Sequence, residues 1–209
     1  MIAVDGRNNR FERPRRNGRG PNRTICAYTL LTTFSVVLCS SGPYAATTPP
    51  AAIDACALLT SQEISAVVGK SVGTGQAYDD GITTQGAHST TCVWAAPLPP
   101  GVAPDPAQRL EGRGFVVLNV MNWPAGSNGA RQFLDDFQEA FRQHDIDSKP
   151  VSVNVGADDA LWWGDGVAVR RNGFSFGISV AQFGDPAARK PQAEGLATLV
   201  VTRLPAQHF

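Results

Sequence analysis

Cys56 and Cys92 constrain this chain more than any other pair of its residues. The sequence has four cysteines. Cys26 and Cys39 fall in an apolar stretch behind an arginine-rich start, which leaves Cys56 and Cys92 alone in the remainder. In an oxidising compartment two such cysteines pair. Closing a loop of about 35 residues stabilises a fold by roughly 3–4 kcal/mol in the chain-entropy model. A redox or zinc role has little support: there is no Cys-x-x-Cys and no histidine doublet. The bond is expected to tie the first helix to the sheet.

The compartment is read from residues 1–46. Seven arginines (7, 10, 13, 15, 16, 19 and 23) face only Asp5 and Glu12, and residues 24–38 are apolar and uncharged. Small residues follow: Ser40, Ser41, Gly42, Ala45 and Ala46. Positive, apolar, small is the layout of a secretory signal. The apolar run is shorter than the roughly 20 residues of a spanning helix. Val36-Val37-Leu38-Cys39 is lipobox-like, although Leu38 is larger than the residue such a site wants. Removing the leader leaves 11 basic and 16 acidic residues, a net charge of −5. That balance argues against nucleic-acid binding, which needs clustered Lys and Arg. Residues 47–52 are expected to be a flexible tether, and residues 53–209 a single domain.

Within that domain Thr60 and Glu63 form a capping box, with Leu59 and Ile64 placed as its hydrophobic staple. Ile64, Val67 and Val68 make the buried face, and Gly69 the stop. Residues 71–90 read as a weak strand and loops, residues 90–95 as a strand, and residues 97–106, with five prolines, as an exposed loop. A strand over 114–123 buries Val116, Leu118 and Val120. A helix capped by Ser127 or Asn128 carries Ala130, Phe133, Leu134, Phe137, Ala140 and Phe141 at helical spacing. Alternation predicts strands over 151–155, 160–163, 167–171 and 174–183, with Asn172-Gly173 as a hairpin turn. A helix from Pro186 or Pro191 to Leu204 closes the chain. The fold class expected is α+β: one antiparallel sheet of about five to six strands, two to three helices packed on one face, and one disulfide.

The run Asp54-x-Cys56-x-Leu58-Leu59-Thr60-x-x-Glu63 with Gly69, the later Cys92-x-Trp94, and Gly156-Ala157-Asp158-Asp159-Ala160-Leu161-Trp162 resemble small bacterial secreted and lipoprotein domains of unknown function. The resemblance covers residues 53–204. It implies an envelope location, a disulfide and an α+β sheet, and it carries no catalytic residues.

Candidate sites are few. Gly173-Phe174-Ser175-Phe176-Gly177 matches a nucleophile pattern, and Asp185 and His208 follow in hydrolase order. The flanking alternation reads as a strand rather than the sharp turn a nucleophile needs. His144-Asp145-x-Asp147 offers three metal ligands but fits a helix end better. Asp158-Asp159 offers a calcium site but fits a capped turn. Gly73-Thr74-Gly75 reads as a loop. Trp162 and Trp163, adjacent on a strand, point to opposite faces, so one fills the core and the other reaches the uncovered face. With Trp123 they form the candidate contact surface. The expected function is a non-catalytic binding or accessory role in or outside the envelope, with no cofactor and no metal. The alternative is a small secreted serine hydrolase using Ser175, Asp185 and His208. Its expected place is extracytoplasmic: periplasmic, secreted or envelope-attached. The expected partner is an envelope protein or ligand. Membrane contact is expected only through an uncleaved leader or a lipid at Cys39.

Overall fold

The alternation of apolar side chains organises two antiparallel meanders that meet at their longest strands. A computed structural model describes residues 49–98, 101–102, 110 and 113–205. The leader, Cys26, Cys39, His208 and most of the proline-rich loop lie outside the described residues. The strands are β1 (Gln76–Ile82), β2 (His88–Ala95), β3 (Phe115–Asn122), β4 (Val151–Ser152), β5 (Asp159–Trp162), β6 (Gly166–Arg171) and β7 (Phe174–Ala181). The helices are α1 (Ser61–Val68), α2 (Gly129–Arg142) and α3 (Arg189–Arg203). The sheet order is β1-β2-β3-β7-β6-β5-β4, antiparallel throughout. Seven strands exceed the five to six expected. The extra count comes from the weak strand in 71–90, which does form, and from 151–155, of which only two residues pair with β5.

Local signals are realised closely. Thr60 and Glu63 make the full capping box, and Gly69 ends α1 at φ 71°. Leu59 and Ile64 of the staple are both buried. One element was not foreseen: a 3-10 turn over Ala55–Leu58, capped by the Asp54 carboxylate, which accepts from the Cys56 N–H at 2.9 Å. Cys56 lies in this turn and is bonded to Cys92 on β2, with a Cα–Cα distance of 5.1 Å. The disulfide therefore ties the turn ahead of α1 to the sheet, rather than the helix itself.

Two further expectations are corrected. First, the helices do not share one face. The 3-10 turn, α1 and α3 cover Val116, Leu118, Val120, Val167, Val169, Phe176, Ile178 and Val180. Leu134 of α2 packs instead with Leu161 and Ala168. Ala168 neighbours Val167 and Val169 on β6, so it points to the opposite side of the sheet. The four residues Gly166 to Val169 are all buried because both faces of β6 are covered. Second, residues 50–52 are no loose tether. The carbonyls of Pro50, Ala51 and Ile53 accept from His88, Asn122 and Thr90, side chains on the core face of β2 and β3. Proline and alanine composition hid this, because backbone carbonyls carry the contacts.

Candidate functional site

The tryptophans expected to make a contact surface are largely packing residues. Trp123 is buried, with Ala87 and Ala130 as neighbours, and its indole N–H donates to Ser175 Oγ at 2.8 Å. Trp163 stacks on Phe137 of α2, with ring centroids 4.7 Å apart. Trp162 pairs with Val167 and packs against the large core on the other face. Trp162 and Trp163 do point to opposite faces, as strand geometry requires. The face expected to be uncovered at Trp163 is covered by α2, and the three indoles do not form one patch.

Ser175 is fully buried as the second residue of β7, and its hydroxyl oxygen accepts from the Trp123 indole N–H. A nucleophile on this strand would have no route to a substrate. Asp185 caps the short 3-10 turn Pro186–Ala188 by accepting from the Ala187 N–H. The hydrolase arrangement is thus absent at its serine and its acid. His144 occupies the left-handed position after α2 at φ 61°. Its N–H bonds Phe141 O and the Asp145 N–H bonds Ala140 O, which is the paired closure of a Schellman motif. Among the described residues no group of three or more His, Cys, Asp or Glu converges on a metal-sized point. Asp158 accepts from the Asn172 N–H at 2.7 Å, and Asp159 accepts from Arg170 Nε at 2.9 Å. These aspartates serve the hairpin turn and the arginines beside it. Gly73 bonds Ala95 O through its N–H, which makes the Gly73-Thr74-Gly75 run a loop against the end of β2.

A surface missed in the sequence lies on the α2 side of β1, β2 and β3. Every even residue from Val116 to Val120 is fully buried, while Phe115, Val117 and Asn119 are only partly buried. Register extends this row across the sheet. Val117 pairs with Val93 and with Ser179, and Phe115 pairs with Ala95 and Ala181. Tyr78 on β1 adds an exposed ring next to Thr91. Val93, Phe115, Val117 and Tyr78 belong to none of the three buried clusters. Beside them lies a closed polar cluster. The Asp80 carboxylate accepts from Thr91 Oγ1 at 2.7 Å and Ser89 Oγ at 3.2 Å. Asn119 Nδ2 donates to Thr91 Oγ1 and Ser89 Oγ, both at 2.9 Å. The readable signal was Phe115-Val116-Val117-Leu118, a run apolar on both faces. Such a run belongs to a strand covered on both sides.

No family model, curated protein or solved structure matches this chain.

Proposed function

We propose that the chain is an exported, envelope-associated domain with a non-catalytic binding role. Its contact surface is the half-open sheet face around Val93, Phe115, Val117 and Tyr78. The observation that carries this reading is the apolar row left partly exposed next to a fully buried row on the same strands. Burying such surface favours association by roughly 25 cal/mol per Å² before the costs of docking. The neighbouring polar cluster carries the exposed Asp80 carboxylate and belongs to the rim of the surface, which stays in water. Export is supported by the Cys56–Cys92 bond together with the leader-like residues 1–46. The favoured partner is an envelope protein offering a flat apolar surface.

A photo-crosslinking amino acid at Val117, in cells, tests the reading. A discrete crosslinked product is expected from Val117 and none from Gln138, which is exposed on α2. Loss of that product in a Val93→Lys background supports the patch. Equal crosslinking from both positions, or none from Val117, refutes it.

A further inference from the structure

The segment entering the domain is held by a histidine whose two ring nitrogens both face oxygens. His88 Nε2 lies 2.8 Å from Asp79 Oδ1, and His88 Nδ1 lies 3.2 Å from Pro50 O. An ionised carboxylate and a backbone carbonyl only accept hydrogen bonds. Both contacts therefore require both ring nitrogens to carry hydrogen, which only the imidazolium does. A neutral ring keeps one contact and turns a lone pair toward the other oxygen. Asp79 is the shorter, charge-assisted partner, so the Pro50 contact is the one that yields.

The surroundings make this contact an outermost fastening. His88 is the register partner of Asn122, and Asn122 Nδ2 donates to Ala51 O at 2.9 Å. Thr90, two residues along β2, donates to Ile53 O at 2.6 Å. Three neighbouring side chains thus hold residues 50–53, with His88 nearest the N-terminal end. Ala52 and Ile53 of the same segment line a groove of about 460 Å³ together with Ala77 and Asp79 on β1.

We propose that His88 is a pH-sensitive latch: protonated, it fastens Pro50 to the start of β2, and on losing its proton it releases Pro50. The charged groups on the elements around it are few. β1 contributes Asp79 and Asp80, and the Asp80 carboxylate is engaged by Thr91 and Ser89. The entering segment contributes Asp54, whose carboxylate accepts from the Cys56 N–H. β3 and the turn over residues 83–87 carry no charged residue. Asp79 is thus the group that holds the proton on His88, and it raises the imidazole pKa above its ordinary value. The latch is closed below the free-histidine value of about 6.5 and opens as pH rises through the higher folded value.

The test is a proton–nitrogen NMR titration of the disulfide-intact protein between pH 5 and 9. The Ala51 and Ala52 amides are expected to shift with the same midpoint as the His88 ring. In His88→Gln the same amides become insensitive to pH. In Asp79→Asn, which retains an acceptor for the ring, the midpoint falls. Far-UV circular dichroism checks that both variants are folded. A His88 ring that titrates while the Ala51 and Ala52 amides stay fixed overturns the latch. So does a response that survives His88→Gln, since it would originate at another group.

Discussion

Three of the tryptophans lie against glycines, and this explains why they are packing residues rather than contact residues. A Cβ on Gly75 would fall 2.6 Å from both Cys92 Sγ and Trp94 Nε1. On Gly129 it would fall 1.9 Å from Trp123 Cε3, and on Gly166 2.5 Å from Trp163 Cη2. Backbone approaches each ring so closely that only a hydrogen fits. Gly129→Ala is therefore expected to destabilise the fold by about 1–3 kcal/mol through overpacking. Urea unfolding followed by tryptophan emission would register it, and an unchanged midpoint would show that Trp123 has room to move. The opposite effect is expected at His144, whose left-handed backbone costs a non-glycine residue about 1 kcal/mol. His144→Gly should raise the unfolding midpoint by about that amount, because both capping hydrogen bonds at this helix end are made by backbone groups. These seatings were invisible in the sequence. Gly129 is six positions from Trp123 and Gly75 is nineteen from Trp94, and no periodic rule links a glycine to the ring above it.

At the scale of elements, what was legible is what is local. The start and stop of α1, the buried stripe of α3 and the Asn172-Gly173 turn each depend on residues within one or two turns of chain. Asn172 does adopt the left-handed conformation, at φ 54°. What the α1 cap does beyond its own helix was not legible. Glu63 accepts from the Thr60 N–H at 2.9 Å and also pairs with Arg203, which lies 140 residues away at the end of α3. Arg203 further donates to Leu58 O at 2.8 Å, so one guanidinium joins the 3-10 turn, α1 and α3. The hydrogen bond from Arg203, with the Thr60 N–H behind it, lowers the Glu63 pKa to about 2. A carboxylate lowered on folding stabilises the fold above its unfolded value of about 4.3, and the contribution is lost as pH falls through about 2. The pair is partly open to water, so screening holds its worth to about 1 kcal/mol. The acid limb of the stability curve between pH 4 and 2 should flatten in Glu63→Gln. An identical acid limb in that variant would mean that other carboxylates carry the transition.

At the scale of the whole molecule, the fold class followed from hairpin spacing, while the placement of α2 did not. Within each meander consecutive strands pair, so each meander could be read from turn signals, whereas the β3–β7 pairing that joins them is non-consecutive and could not. Which side of the sheet receives a helix is decided by side-chain volume on both faces. The small residues Gly166, Ala168 and Gly177 make the hollow that α2 and Trp163 fill: Phe133 Cζ and Trp163 Cη2 both approach Gly177. The same helix stops short of Val93, Phe115 and Val117, and this is why half of that face stays open. The disulfide acts at this scale too, because the 3-10 turn it anchors underlies both α1 and the entering segment. Cys56→Ala/Cys92→Ala should lose about 3–4 kcal/mol, the chain-entropy worth of a loop with a sequence separation of 36. It should also steepen the denaturant dependence, since an uncrosslinked unfolded chain exposes more surface. A loss below about 1 kcal/mol, with an unchanged slope, would show that Ala55 and Leu58 hold the turn by burial alone. Equilibrium urea curves of the oxidised protein and the double variant separate these outcomes, because the first changes midpoint and slope together and the second changes neither appreciably.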